Sequence, residues 1–161
     1  MIQRIQSLYL LLAMTVLSVM FFFPLAVVNP LGDTPSFLNL TGVSGFMEDY
    51  KGANLWFIGF TAMTVLLLGG MAYILFSYRH RPRQMKWTRI VSLLLVLFVG
   101  LMLLGLDKAA VGMYPGRDWE ESLVQYRWPV YMPLVALVFM GLALRGIRHD
   151  EELVRSSDRL R

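Results

Sequence analysis

Long apolar stretches alternate along this chain with short polar segments. Four of the stretches contain no Asp, Glu, Lys, Arg or His, and they cover residues 7–28, 55–78, 90–106 and 128–144. As helices they would measure roughly 25 to 36 Å, close to the ~30 Å hydrocarbon thickness of a bilayer. None of them alternates apolar and polar residues, as the strands of a membrane-spanning β-barrel do. The pattern therefore predicts an all-α protein, an integral membrane four-helix bundle.

The composition agrees with this interpretation. Hydrophobic residues make up 57% of the 161 residues and charged residues only 16%, whereas charged residues form about 25% of a typical soluble domain. The chain has no cysteine, so a disulfide, a thiolate nucleophile and a Cys-based metal site are all excluded. The apolar stretches also hold none of the ionisable side chains that usually mark an ion path or a proton relay in a membrane.

The cations lie on alternate connecting segments. Eleven Lys and Arg residues lie in the N-terminal segment, the second loop and the C-terminal segment, and four lie in the first and third loops. Because short segments rich in Lys and Arg stay in the cytoplasm, both termini are predicted to be cytoplasmic. The net charge of +4 therefore reflects the cations of the predicted cytoplasmic segments, and no nucleic-acid partner is needed to explain it. Four tryptophans near the predicted span ends agree with these boundaries: Trp56, Trp87, Trp119 and Trp128.

The second loop is the densest cluster of charge. Its cations are expected to set the topology and are the candidate contacts for anionic lipid headgroups. They are Arg79, Arg81, Arg83, Lys86 and Arg89. The two histidines, His80 and His149, lie beside the same boundary and would need a third ligand to hold a metal. No metal and no cofactor is predicted.

Prolines and glycines predict irregular structure at two places. Pro24 predicts a kink or an early stop of the first helix near Phe23. The first outer loop, residues 29–54, contains a strand-like run at 37–43 that is compatible with a small β-hairpin.

The start of the fourth span is also predicted to be irregular, because Pro129 and Pro133 follow closely on Arg127. The guanidinium of Arg127 has three candidate roles. It could donate to carbonyls left without partners by Pro133, pair with acidic residues of the third loop, or bind an anionic ligand. Those acids are Asp118, Glu120 and Glu121, and without a His, Ser or metal-ligand arrangement beside them they are interpreted as a solvated face.

After the fourth span, residues 145–161 are predicted to continue as a charged cytoplasmic helical tail. Ile147 and Val154, and likewise Leu153 and Leu160, are seven residues apart and would form a narrow apolar stripe. This stripe and the start of the fourth span, residues 127–133, are the candidate interaction surfaces. We call the second surface the Arg127 corner. Their residues are Arg127, Trp128, Tyr131, Leu153, Val154, Arg155, Asp158, Arg159 and Leu160.

Both ends of the chain and the Arg127 corner resemble a known family. The carrying segments are 1–6 (MIQRIQ), 127–131 (RWPVY) and 150–161 (DEELVRSSDRLR). They are similar to a family of small bacterial four-span inner-membrane proteins, domain of unknown function 4293. The resemblance implies an architecture and a bacterial inner membrane, and it transfers no catalytic residue.

Three functions remain open at this point. The first is a non-enzymatic accessory, scaffold or assembly subunit, which binds a membrane-protein partner or a second copy of itself through its tail and helix surfaces. The second is a small transporter or channel for an uncharged or lipidic solute, which would depend on hydroxyls and backbone groups. The candidate hydroxyls are those of Thr15, Ser18, Thr61, Thr64 and Ser92. The third is an interfacial lipid-modifying enzyme that uses Arg127 with the outer acids, or His80 with the inner cations.

Overall fold

The computed structural model describes residues 3–29, 35–45, 54–77, 81–113 and 123–158, most of them helical. The helices are α1 (Gln3–Ser18), α2 (Asn54–Phe76), α3 (Arg81–Met113) and α4 (Met132–Asp158). The segments Leu55–Phe76, Pro82–Ala109 and Trp128–His149 are long and apolar enough to cross a membrane, and Ile5–Phe21 is a shorter apolar helix. Length and composition thus indicate a membrane protein.

The four helices form a closed ring in which α1 contacts α2 and α4, and α3 contacts the same two helices. Apolar side chains fill the centre of this ring. Glycine permits close approach at two helix pairs, where Gly70 of α2 faces Val91 of α3 and Gly146 of α4 faces Gln6 of α1. Small residues at such contacts are typical of helices that pack within a membrane. The largest fully buried side chains on the helices are Leu10, Leu17, Phe57, Leu67, Met71, Ile74, Leu95 and Phe98.

The first apolar stretch does not form one helix over residues 7–28. After α1 a 3₁₀ turn covers Val19–Phe21, and strand β1 then begins at Ala26 and ends at Asn29. The early stop predicted near Phe23 is therefore present. Two physical effects account for it: Pro24 cannot donate a backbone hydrogen bond, and the β-branched Val27 and Val28 favour a strand.

A small antiparallel sheet lies at one end of the bundle. It consists of β1, β2 (Ser36–Leu38), β3 (Val43–Gly45) and β4 (Leu123–Tyr126), in the order β3-β2-β1-β4. Val27 of β1 is paired with Phe37 of β2 on one side and with Gln125 of β4 on the other. The hairpin compatible with the first loop is present as β2 and β3. The prediction of an all-α protein is corrected, because this sheet also recruits the end of the first apolar stretch and the third loop.

Two hydrogen bonds fix the turn between β2 and β3. The backbone N–H of Asn39 donates to the carbonyl of Gly42 at 2.8 Å. The hydroxyl of Thr61, on α2, donates to the carbonyl of Leu40 at 2.9 Å. The second bond attaches the hairpin to the helix bundle.

The cationic segment predicted as a loop is helical from Arg81 onward. Its buried Gln84 donates through Nε2 to the carbonyl of Ile74 at 3.3 Å. Ile74 lies in the last turn of α2, and its carbonyl also accepts from the backbone N–H of Ser77 at 3.2 Å. The Gln84 amide therefore joins the end of α2 to the start of α3.

Candidate functional site

The bundle has two chemically different ends. The sheet lies where α1 and α3 end and where α2 and α4 begin. The opposite end carries the start of α1, the end of α2, the first turns of α3 and the last turns of α4. We call it the basic end, because exposed cations of α3 and α4 lie there.

At this basic end the candidate lipid contacts lie on the first turns of α3. Arg83, Lys86 and Arg89 are exposed at intervals of three residues, so they share one side of the helix. Arg89 donates to the sulfur of Met85 at 3.3 Å. Arg81 belongs to the same helix, but its side chain, like the whole of Arg79, lies outside the described residues.

Two further cations of this end, Arg145 and Arg148, are exposed on α4. An aromatic pair marks the level of the basic end, because the rings of Tyr73 on α2 and Trp87 on α3 are 5.4 Å apart. Trp87 is exposed, as is usual for tryptophan at the headgroup level of a membrane. The exposed cations of α3 and α4 and this aromatic pair therefore lie at the same end of the bundle.

At the opposite end, Arg127 holds its corner through its backbone. Its N–H donates to the carbonyl of Leu25 at 2.8 Å, and its own carbonyl accepts from the N–H of Val130 at 3.1 Å. The predicted irregularity is a 3₁₀ turn, Trp128–Tyr131. The N–H of Met132 donates to Pro129, whose carbonyl Pro133 leaves without its helical partner.

That bond makes one candidate role of Arg127 unnecessary, because the carbonyl concerned already has a backbone donor. The guanidinium is exposed. The acids with which it was expected to pair, Asp118, Glu120 and Glu121, lie outside the described residues, as does His80.

Aromatic side chains surround the corner. The rings of Phe23 and Trp128 are 4.9 Å apart, so the turn after α1 packs against the start of the fourth apolar segment. Trp128 and Tyr131 are both exposed. These two predicted contact residues therefore lie on the surface of the sheet end.

Sequence reasoning missed a polar contact beside this corner. The hydroxyl of Tyr126, on β4, donates to the carboxylate of Asp107, near the end of α3. Partial burial of the phenol, the hydrogen bond and the negative charge of Asp107 together raise the pKa of Tyr126. The available signal was the position of Asp107 as the first charged residue after the third apolar stretch.

The candidate tail is helical as far as Asp158. The side chains of Leu153, Val154, Arg155 and Asp158 are not described, and Arg159 and Leu160 lie outside the described residues altogether. The backbone alone places the tail as a direct extension of α4 beyond the basic end. How its apolar stripe is oriented stays a prediction.

An apolar groove between α2 and α3 was also missed. It has a volume of about 390 Å³. No sequence motif predicts this groove, because the groove depends on which faces of α2 and α3 pack together. Its lining consists of Leu55, Trp56, Gly59, Phe60, Met63, Phe98 and Leu101.

A search of the described ranges for three or more His, Cys, Asp or Glu side chains placed to hold a metal ion finds none. The polar groups that these ranges show include the exposed cations and His149, the Arg127 corner and the pair formed by Tyr126 and Asp107. None of these resembles a nucleophile with an adjacent base.

Comparison with known proteins gives a family and no relative of known activity. The family model described as Domain of unknown function (DUF4293) matches residues 2–160. No curated protein and no solved structure matches the chain. The match covers almost the whole sequence and confirms the resemblance seen at the two ends and the Arg127 corner. The chain therefore belongs to the DUF4293 family.

Proposed function

We propose that this chain is an integral protein of the bacterial inner membrane that catalyses no reaction and serves as an accessory or scaffold subunit. Its partner is a membrane protein or a second copy of the chain, contacted through the tail and the helix surfaces. The observation that carries the proposal is an apolar bundle core, together with the five nominated helix hydroxyls, which all donate to backbone carbonyls. The polar and charged groups that could contact other molecules are then those on the surface of the bundle.

The hydroxyls nominated for a solute path support this proposal over transport. Thr15, Ser18, Thr64 and Ser92 each donate to the carbonyl four residues earlier on their own helix, at 2.8 to 3.0 Å. Such bonds satisfy a hydroxyl locally. Thr61 donates instead to Leu40 in the hairpin turn. All five hydroxyls have structural roles, so a path for an uncharged solute gains no donor from them.

The proposed orientation rests on the two ends of the bundle. Five exposed cations with described side chains lie at the end where α1 begins and α4 ends: Arg83, Lys86, Arg89, Arg145 and Arg148. The positive-inside rule then favours a cytoplasmic position for this end and an external position for the sheet. Anionic lipid headgroups are the proposed contacts of the α3 cations.

The proposed partner surface is the far end of α4. Gly146 packs against Gln6 of α1, and α4 continues from there to Asp158 whereas α1 begins at Gln3. Twelve residues (147–158) follow Gly146, and at a rise of about 1.5 Å per residue they extend roughly 18 Å. This extension passes beyond α1 and offers a helical surface on the cytoplasmic side.

The test is photo-crosslinking in intact membranes from a reactive residue placed at Ser156. We expect the full chain to give one discrete crosslinked product. Replacing Leu153 and Leu160 together by Ser should abolish that product, because the proposed apolar contact is lost. The matched control is Ser157→Ala, which alters the same segment, spares the stripe and should leave crosslinking intact.

Membrane insertion is measured separately by flotation of each variant with membranes after a carbonate wash. Both tail variants should float like the parent chain. A parent chain that floats but gives no crosslinked product would contradict the accessory role. A parent chain that does not float would contradict the membrane location itself.

A further inference from the structure

We propose that the groove between α2 and α3 holds one acyl chain of an anionic phospholipid, and that Lys108 contacts the lipid phosphate. The inference rests on the proposed membrane location. It adds a specific ligand to a surface that the sequence presents only as part of two apolar spans.

The lining excludes water as the natural occupant. Six hydrophobic side chains and Gly59 surround the groove, whereas an ordered water needs two to four polar partners. An apolar cavity of only ~150 Å³ can admit a benzene ring, and this groove, at about 390 Å³, is more than twice that size. It is therefore large enough for a length of hydrocarbon chain.

The groove opens on the outer surface of the bundle. Leu55 and Leu101 at its edges are exposed, and exposed Gly59 has no heavy atom within 4 Å of the position of a Cβ. Leu55 and Met63 lie eight residues apart on α2, so the groove follows that helix for about 12 Å. In a bilayer the molecules surrounding this face are acyl chains, and one of them fills the space between the helices.

The cation lies on the same stripe of α3 as the groove. Phe98, Leu101, Gly105 and Lys108 follow at intervals of three, four and three residues, which places them on one side of the helix. A Cβ added to Gly105 would come within 2.3 Å of Phe60 Cζ and 3.0 Å of Trp56 Cε3, so this side faces α2. Lys108 is exposed one turn further on, towards the sheet end.

The height of Lys108 suits a headgroup contact. It follows Leu101 by seven residues, or about 10 Å along the helix, and Trp56 lies between the two levels beside Gly105. The neighbouring carboxylate of Asp107 accepts a hydrogen bond from the hydroxyl of Tyr126. The groove itself cannot select a lipid, because bulk acyl chains are equally apolar. Selectivity for an anionic headgroup therefore comes from Lys108.

The experiment uses the full chain in phosphatidylcholine nanodiscs with a trace of lipid that carries a diazirine in its acyl chain. The probe lipid is phosphatidylglycerol in one arm and phosphatidylcholine in the other, and labelled residues are identified by mass spectrometry. Phosphatidylglycerol is expected to label the groove residues about five-fold more than phosphatidylcholine, the factor that one cation contributes near a membrane surface. Lys108→Gln should remove this preference, and Arg145→Gln, at the opposite end of the bundle, should retain it.

A second variant fills the groove. Gly59→Leu should reduce groove labelling several-fold, because an added Cβ meets no heavy atom within 4 Å and the larger side chain then takes up space in the groove. Gly69→Leu is the matched control, since Gly69 lies on the same helix, is exposed and is equally open. It should leave the labelling unchanged.

Labelling spread evenly over the apolar helix surfaces, or equal labelling by both lipids, would overturn the inference while leaving the proposed function intact. An equal effect of the two glycine variants would also overturn it. A chain that cannot be incorporated into nanodiscs and does not float with membranes would instead overturn the proposed membrane location, and the lipid site with it.

Discussion

The hydroxyl of Tyr126 donates a hydrogen bond to the carboxylate of Asp107, and this bond joins the edge strand β4 to the end of α3. The two residues are separated by the connection between α3 and β4. Because β4 is followed directly by the corner at Arg127, the bond also limits where α4 can begin. It is a side-chain attachment between the small sheet and the helix bundle.

Replacing Tyr126 with Phe should lower the free energy of unfolding by about 1 kcal/mol. Hydrogen bonds to charged groups contribute about 1.5 to 3 kcal/mol, and a value just below this range is expected because Tyr126 is 37% exposed. The measurement is reversible unfolding in detergent micelles, with Tyr131→Phe as the control. If both variants lose the same stability, the bond to Asp107 makes no specific contribution.

This contribution should also depend on pH. The pKa of Tyr126 is raised in the folded chain, so above the ordinary tyrosine pKa of about 10 the unfolded chain loses its proton first. The advantage of the wild-type chain over Tyr126→Phe should therefore be constant from about pH 7 to 9 and decline above about pH 10. Unfolding free energies of the two chains across this range provide the check. An advantage that grew with rising pH would contradict the assignment.

Replacing Gly105 with Ala should destabilise the chain by about 1 to 3 kcal/mol, as overpacking of a core does. The new Cβ would meet Phe60 Cζ at 2.3 Å. To avoid this contact the Phe60 ring would have to shift relative to Phe57 and Phe98, whose ring centroids lie 6.1 Å and 6.4 Å from its own.

The matched control for that change is Gly100→Ala, on the same helix. An added Cβ at Gly100 meets no heavy atom within 4 Å. Its stability should stay the same or increase by up to about 1 kcal/mol, since alanine is the better helix former. Thermal unfolding of both variants compares the two positions directly, and equal effects would argue against close contact of α2 and α3 at Gly105.

Replacing Thr61 with Val should loosen the hairpin without unfolding the bundle. The substitution preserves the shape of the side chain and removes the 2.9 Å bond to the carbonyl of Leu40, at a cost of about 1 kcal/mol. Faster amide hydrogen exchange is expected in β2 and β3. Thr15→Val, which removes only a bond to its own helix, should leave exchange in the hairpin unchanged.

The absence of cysteine makes the proposed orientation straightforward to measure. Cys in place of Gln125 on β4 should react with a membrane-impermeant maleimide in intact cells. Cys in place of Arg83 or Arg148 should react only after permeabilisation, because the positive-inside rule places the basic end in the cytoplasm. Labelling of all three in intact cells, or of Arg83→Cys alone, would contradict this orientation.

Several features follow from local sequence patterns because their physical causes are themselves local. Apolar runs of this length predict helices able to cross a bilayer, and Pro24 predicts the end of the first helix near Phe23. Pro129 and Pro133 likewise predict an irregular start of the fourth span, found as the 3₁₀ turn Trp128–Tyr131. The segments that carry the family pattern are recognisable without any structure.

Other features exist only after distant segments meet. Whether residues 26–29 are the end of a helix or the centre of a sheet depends on partners at 36–38 and 123–126, since a strand needs neighbours for its backbone hydrogen bonds. The alternation of the spans puts the first and third loops on the same side, but only the packed helices bring β1 into pairing with β2 and β4.

The sequence by itself determined an apolar helical chain with a basic end, because hydropathy and charge act residue by residue. Which side of each helix is packed against a neighbour depends on the tertiary structure, because a contact needs residues from two helices. The sequence shows Gly105 only as a glycine within a helix, and the structure shows that Phe60 packs against it. Likewise, the sequence shows Asp107 only as a charge at the end of a span, and the structure shows its hydrogen bond with Tyr126. The groove beneath Lys108 likewise arises only where α2 and α3 meet.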